Sequence, residues 1–230
     1  MRMTSELVLL PGLICDARLW RDVITGLTAR CSVADLTQDD SIAAMAARAL
    51  AAAPARFALA GLSMGGYVAL EIMRQAPERV THLALLDTSA RADDEARRET
   101  RRKGIEMVGQ GKFIGVSRGL LGSLIAPQHM GTEVARDVQA MSERVGQAAY
   151  VRQQVAIMGR VDSRPGLGAI KVPVLVGVGE MDKMTPPELA EEMAAGIAGA
   201  ELVRFADSAH LPTMENPRAV VAAMVRWLGR

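Results

Sequence analysis

The sequence predicts an α/β fold in which a mostly parallel central sheet carries helices on both faces. Short apolar segments of strand length alternate with longer segments of helical periodicity, a pattern typical of this fold class. A helical block interrupts the alternation before the last two strands. Half of the 230 residues are apolar, which allows a sizeable core and argues against intrinsic disorder.

Six apolar segments have the composition and flanking turn residues of buried strands. They cover residues 6–10, 32–36, 56–60, 80–86, 172–178 and 201–205. The core helices are predicted at residues 19–27, 42–53, 67–75, 187–198 and 217–228. Ser41 is a favourable N-cap for the Ala-rich helix, and Pro54 ends it.

Residues 91–165 have a different pattern. A densely charged run extends from Arg91 to Lys103, and we interpret it as the solvated face of a helix. Helical periodicity continues to about Met158, broken by glycines and Pro127, without a strand. We therefore predict a core made of residues 1–90 and 166–230, with residues 91–165 as a helical cap inserted into it.

Composition argues against several classes of protein. The net charge of +1 gives no electrostatic footprint for nucleic acid, and an aromatic content of 3% provides few stacking platforms. Cys15 and Cys31 form neither a disulfide framework nor a C-x-x-C motif. The apolar run at residues 7–10 is too short to span a bilayer, and Arg2 is the only basic residue before it. We expect a reduced, cytoplasmic protein without signal peptide or membrane anchor, and leave its oligomeric state open.

The most informative motif is Gly61-Leu-Ser-Met-Gly-Gly66, a G-x-S-x-G sequence at a predicted strand-to-helix junction. A sharp turn there needs small neighbours and projects the serine oxygen into the cleft. Ser63 is thus the candidate nucleophile. The backbone amide of Met64, at the start of the helix, is positioned to donate to an oxyanion.

A serine hydroxyl needs a base that accepts its proton. Of the three histidines, only His210 directly follows the carboxyl end of a predicted strand, where sites form in parallel sheets. We predict His210 as the base. His82 and His129 are interpreted as structural or solvent-facing.

The base in turn needs an acid that orients it. Asp182 follows the strand at 172–178 and is the preferred candidate. Asp87, which ends the strand at 80–86, and Glu180, on the same turn as Asp182, stay open as alternatives. Each carboxylate could instead stabilise only its own turn.

Four segments in this order resemble the α/β-hydrolase superfamily across nearly the whole chain: Leu9–Leu13, Gly61–Gly66, Gly177–Asp182 and Ser208–His210. The resemblance implies that the amide of Leu13 completes an oxyanion hole with that of Met64. It also implies a helical cap where residues 91–165 lie. The chain departs from the usual pattern at Pro11, where a histidine is common, in the loop 37–41, and in lacking an amino-terminal hairpin.

The resemblance implies a serine hydrolase that cleaves a small to medium ester or thioester through an acyl-enzyme, without metal or cofactor. Lactone or carbon-carbon hydrolysis and acyl transfer on the same triad remain alternatives, as does a catalytically silent small-molecule-binding module. Leu13, Met64 and Trp20 are candidates to line the substrate pocket, although core packing also explains Trp20 and Met64. Cys15 is expected to pack rather than react.

Overall fold

The computed structural model describes residues 5–230, and within them six strands form one sheet in the order β2-β1-β3-β4-β5-β6. The strands are β1 (Glu6–Leu10), β2 (Arg30–Val33), β3 (Phe57–Leu62), β4 (Val80–Leu86), β5 (Val174–Gly179) and β6 (Glu201–Phe205). All five ladders between neighbouring strands are parallel. The predicted α/β class with a parallel sheet is confirmed.

Nine α-helices accompany the sheet in the described part of the chain. They are α1 (Arg21–Ile24), α2 (Ile42–Ala52), α3 (Met64–Gln75), α4 (Glu95–Gly109), α5 (Arg118–Leu124), α6 (Glu133–Met158), α7 (Pro187–Gly196), α8 (Pro212–Glu215) and α9 (Pro217–Leu228). Ser41 caps α2 as predicted, because its hydroxyl accepts a hydrogen bond from the amide of Ala44.

Several predicted boundaries differ from the structure, and three of the differences are instructive. The second strand ends at Val33 because its partner β1 ends one residue after the Leu9–Val33 pair. β5 begins at Val174 because Pro173 has no N–H to give to the ladder. The helix predicted at 19–27 is a 3-10 turn at Ala17–Trp20 followed by the single-turn α1.

Apolar side chains fill both faces of the sheet, as expected for a parallel sheet covered by helices. One core cluster joins the sheet to α2, α3 and α7 through side chains such as Met45, Val68 and Met193. The other joins it to α1 and α9, for example through Val23 and Trp227, and continues into the inserted helices. Because β3 and β5 are buried along their whole length, the positions of their carboxyl ends are rigidly set.

The inserted segment between β4 and β5 contains α4, α5 and α6. A buried ion cluster joins its two ends, since the carboxylate of Asp93 lies 2.6 Å from Nε of Arg101 and 2.8 Å from Nη1 of Arg160. A glycine at position 146, with φ of 75°, bends α6. Among residues 5–230, no helix combines the length and the apolarity needed to cross a membrane. Residues 1–4, including Arg2 and the first part of the predicted core, lie outside the described residues.

A close approach between α3 and the end of β1 generates the first prediction. A Cβ on Gly65 would lie 2.1 Å from the carbonyl oxygen of Leu10, so Gly65→Ala must push the helix away from the strand. We expect this overpacking to lower the free energy of unfolding by about 1–3 kcal/mol in urea denaturation.

The matched control is Gly122→Ala in α5, because nothing lies within 4 Å of its added Cβ. Helix propensity there favours alanine by up to about 1 kcal/mol. Equal urea midpoints for the two variants would contradict the steric argument.

Candidate active site

The candidate residues lie together at the carboxyl edge of the sheet, where the strands of a parallel sheet open into loops. Ser63 follows β3, Asp87 follows β4 and Asp182 lies on the turn after β5. His210 lies on the loop between β6 and α8. Four neighbouring strand ends therefore supply the side chains of one site.

Ser63 has a backbone conformation that few residues with a side chain adopt, with φ of 54° and ψ of −117°. Its amide donates to the carbonyl of Leu86 over 3.0 Å, and its carbonyl accepts the hydroxyl hydrogen of Thr88 over 2.7 Å. The packing of Gly65 and Gly66 against neighbouring segments leaves the turn little room to relax. The surroundings thus maintain a strained turn that places the hydroxyl above the strand ends.

A continuous hydrogen-bonded chain connects the three predicted triad residues. Nε2 of His210 lies 2.9 Å from Oγ of Ser63, and Nδ1 of His210 lies 2.8 Å from Oδ2 of Asp182. His210 and Asp182 are buried. These distances allow the imidazole to accept the serine proton while the carboxylate orients the ring.

Asp182 is held in its ionised form by several donors. Its Oδ1 accepts the amides of Met184 and Thr185, and its Oδ2 also accepts the hydroxyl hydrogen of Thr185. Burial by itself would raise the pKa of Asp182, but His210 and the Thr185 donors outweigh it and lower the pKa below its ordinary value. Thr185 was not singled out in the sequence, and its spacing of three residues from Asp182 is the signal of such a turn.

Asp87, one of the alternative acids, lies beside Asp182 in a completely buried position. Its Oδ1 accepts the amide of Gly179 over 2.8 Å, whereas its Oδ2 has no partner in the described residues beyond the neighbouring carboxylate. Burial, followed by the charge of Asp182, raises the pKa of Asp87 well above its ordinary value. Of the two adjacent carboxyl groups, Asp87 is therefore the one whose neutral form is favoured.

Glu215 holds the loop that carries His210. One of its oxygens accepts the amides of Ala209 and Leu211, on either side of His210, and the other accepts the amide of Ala126 from the inserted segment. Burial raises the pKa of Glu215, although these three backbone donors oppose the shift. Sequence reasoning missed this role because a partner 89 residues away gives no local pattern.

The predicted oxyanion donors adjoin Ser63, since Met64 follows it in the chain and Leu13 lines the same cleft. Neither the amide of Leu13 nor that of Met64 has a protein acceptor within residues 5–230. Gly12 brings the first loop close to the nucleophile, because a Cβ built on it would lie 3.5 Å from Cβ of Ser63.

A cleft of about 540 Å³ extends from Ser63 and His210. Its walls are mostly apolar and come from the first loop, the inserted helices and the loops after β5 and β6: Leu13, Ile14, Cys15, Val116, Leu120, Leu124, Val138, Met184 and Leu211.

Two predicted lining residues do not reach this cleft. Trp20 is fully buried in the core, which corresponds to the packing alternative, and the side chain of Met64 is equally inaccessible. Cys15 does line the cleft, but burial and then the charge of Asp16 raise the pKa of its thiol to about 12. A thiol with such a pKa is a poor nucleophile at neutral pH.

The remaining alternatives for base and acid lie elsewhere. His82 is in β4, where its ring packs edge-on against Trp227 with centroids 5.7 Å apart. His129 ends a 3-10 turn in the inserted segment. Glu180 is exposed to solvent. The hydrogen bonds described above join none of these residues to Ser63.

Asp87, Asp182 and His210 also form the one three-residue cluster, among residues 5–230, with metal-ligand atoms within 4.8 Å of one another. The donor set does not fit a cation well. Nδ1 of His210 and the hydroxyl of Thr185 both contact Oδ2 of Asp182, and a metal would have to displace them. The cluster is better described as a hydrogen-bonded network.

The fold and this geometry agree with comparisons to known proteins. Residues 7–223 match the model of the alpha/beta hydrolase family, and the chain belongs to that family.

Individual relatives agree with this assignment. A pimeloyl-[acyl-carrier protein] methyl ester esterase of Edwardsiella ictaluri is 27% identical over 96% of this chain and 92% of its own. A thermophilic esterase from Thermogutta terrifontis superposes with a TM-score of 0.88 at 28% identity, covering 98% of this chain and 90% of the esterase. A hydrolase from Pseudomonas aeruginosa superposes with a TM-score of 0.84 at 25% identity, covering 100% of this chain and 92% of the hydrolase.

The neutral carboxyl of Asp87 generates a prediction about stability and pH. The folded protein binds the proton of the Asp87 carboxyl more tightly than the unfolded chain does. The contribution of Asp87 to the free energy of unfolding should therefore decrease as the pH rises above about 3.8, the ordinary pKa of an aspartate. Asp87→Asn keeps a neutral group there and should unfold at higher urea concentration than wild type at pH 8, with the difference shrinking toward pH 5.

Asp182→Asn serves as the comparison, because the pH dependence that Asp182 gives to stability has the opposite sign. The lowered pKa of Asp182 stabilises the folded state above about pH 3.8, and this contribution disappears as the pH falls. Asp182→Asn should therefore lose stability at neutral pH. If Asp87→Asn also proved less stable than wild type at pH 8, Asp87 would be ionised in the folded protein.

Proposed function

We propose that this protein is a serine hydrolase that cleaves a small to medium carboxylic ester or thioester through an acyl-enzyme. The observation that carries the proposal is the pair of contacts made by His210, 2.9 Å to Oγ of Ser63 and 2.8 Å to Asp182. Such a chain makes a serine hydroxyl nucleophilic by providing a base for its proton.

In the proposed mechanism, Oγ of Ser63 attacks the substrate carbonyl while Nε2 of His210 takes its proton. The amides of Leu13 and Met64 donate to the oxyanion of the tetrahedral intermediate. His210 then protonates the departing alcohol or thiol. Water, activated by the same histidine, releases the acid and restores Ser63. Asp182 stabilises the imidazolium in both halves of the reaction.

The lining of the cleft indicates which kind of substrate group binds there. Its walls are apolar, and Leu120, Leu124 and Val138 come from the inserted helices. We therefore assign residues 91–165 as a cap over the core of residues 1–90 and 166–230, and propose that an uncharged apolar group lies beneath it. The esterase names of two relatives support ester chemistry over the alternatives.

A fluorophosphonate probe tests the proposal directly. Such a probe phosphonylates activated serines, so wild type should be labelled and Ser63→Ala should not. Ser63→Ala should also lose hydrolysis of p-nitrophenyl esters down to the residual rate left by binding and the oxyanion donors. Intact-mass analysis and chromogenic assays with graded acyl lengths measure both.

Ser163→Ala is the control for labelling, because Ser163 lies between α6 and β5 and does not line the cleft at Ser63. Equal labelling of wild type and Ser63→Ala would contradict the assignment of the nucleophile. Absence of labelling in folded wild type would favour the silent binding module. Product analysis with and without an alcohol acceptor separates hydrolysis from acyl transfer.

The two adjacent carboxyl groups provide a separate test of the triad acid. Asp182→Asn should lower kcat by about 10³–10⁴-fold, because an amide fails to stabilise the imidazolium. Asp87→Asn should change kcat by less than about tenfold, since Asp87 is already neutral. The reverse order, measured with one p-nitrophenyl ester at pH 8, would make Asp87 the triad acid.

A further inference from the structure

The oxyanion loop contains a strained residue next to its predicted donor. Ile14 has φ of 50°, which is rare for a β-branched side chain. It is the third residue of a turn closed by a 3.2 Å hydrogen bond from the amide of Cys15 to the carbonyl of Gly12. A four-residue turn in which only the third residue has a positive φ is a type II turn. Its third position is normally occupied by glycine or asparagine. Some other contact must therefore offset the strain.

That contact comes from the inserted segment. Oε1 of Gln153, on α6, accepts the amide hydrogen of Ile14 over 2.9 Å. Gln153 is fully buried, and its Nε2 donates to the carbonyl of Leu36 over 3.0 Å. Because the carbonyl of Leu36 can only accept, the side-chain amide is oriented with its oxygen toward Ile14.

The bonded peptide adjoins Leu13, whose own amide is the second oxyanion donor of the proposed mechanism. Rotation of the Leu13–Ile14 peptide would relieve the strain at Ile14 but would turn its N–H away from Gln153. It would also leave Oε1 of Gln153 buried without a donor, which is unfavourable. The hydrogen bond thus selects one orientation of the loop.

We propose that Gln153 is a positioning residue of the oxyanion hole, which holds the Leu13 amide toward Ser63 by bonding the strained Ile14 peptide. This inference rests on the serine-hydrolase function proposed above. It assigns the cap helix α6 a part in transition-state stabilisation, in addition to its contribution to the cleft. It also explains how the first loop is supported with Pro11 in place of the common histidine.

Gln153→Met tests the proposal, because it keeps the length of the side chain and removes its acceptor. We expect kcat for a p-nitrophenyl ester to fall about 10–100-fold, short of the 10²–10³-fold expected for complete loss of a donor. KM should change by less than about threefold, since the ester carbonyl depends on the oxyanion hole mainly in the transition state. The inhibition constant of an aryl trifluoromethyl ketone, whose Ser63 adduct carries the oxyanion, should rise by the factor by which kcat/KM falls.

Arg152→Met is the matched control. Arg152 also docks α6 onto the loop after β2, through a 2.8 Å hydrogen bond from Nε to the carbonyl of Thr37, but it does not contact the oxyanion loop. Its kcat should stay within about twofold of wild type. If Arg152→Met and Gln153→Met lowered kcat equally, the effect would be cap docking and the proposal would be wrong.

Two further variants sharpen the test. Gln153→Glu keeps an acceptor for the Ile14 amide and, with the carboxyl protonated as burial favours, a donor for the Leu36 carbonyl, so it should recover most of the lost kcat. Ile14→Gly removes the strain, because glycine adopts positive φ freely. In that background Gln153→Met should reduce kcat far less than in wild type, a coupling that a double-mutant cycle measures.

The outcomes separate this proposal from the proposed function. If wild type is not labelled by the fluorophosphonate, the serine-hydrolase function fails first. If wild type is labelled and folded Gln153→Met keeps kcat within twofold, the positioning role is overturned and the function stands. Should Gln153→Met not fold by circular dichroism, Gln153→Asn, one methylene shorter with the same amide, replaces it under the same criteria.

Discussion

The strained strand-to-helix turn at Ser63 is the constraint on which the rest of the site depends. A non-glycine residue at φ of 54° persists only where its surroundings leave no relaxed alternative. Here the amide of Ser63 is bonded to the end of β4, and its carbonyl is bonded to Thr88. Gly65 and Gly66 let α3 pack so closely that the turn has no space to open. The buried strands β3 and β4, between which this turn is bonded, therefore hold the hydroxyl group in one position.

A buried polar network extends from this hydroxyl to the loops after β5 and β6. Four hydrogen-bond donors favour the ionised form of Asp182, whereas burial and then the charge of Asp182 favour the neutral form of Asp87. Glu215 fixes the backbone on both sides of His210. Two carboxyl groups thus position the histidine, one through the ring and one through the main chain, while a third stays uncharged.

The inserted helices contribute to the site in two physical ways. Their apolar side chains close the cleft, so that electrostatic interactions near Ser63 act in a medium of low polarity. The inserted segment also makes polar contacts with the core: the side chain of Gln153 accepts the amide hydrogen of Ile14, and the backbone amide of Ala126 donates to Glu215. Movement of these helices would therefore change the geometry of the two loops that flank the nucleophile.

By itself, the sequence determined the strand and helix order, the turn at Ser63 and the short list of bases and acids. These features follow from local periodicity, glycine spacing and the rarity of histidine. Only the tertiary structure shows that Asp182 lies 2.8 Å from His210 while Asp87 is completely buried beside it, because burial and neighbouring charge depend on how distant segments pack. It also placed Trp20 in the core and revealed Gln153 and Glu215. Their partners lie 139 and 89 residues away, and contacts across such distances leave no pattern in a single sequence.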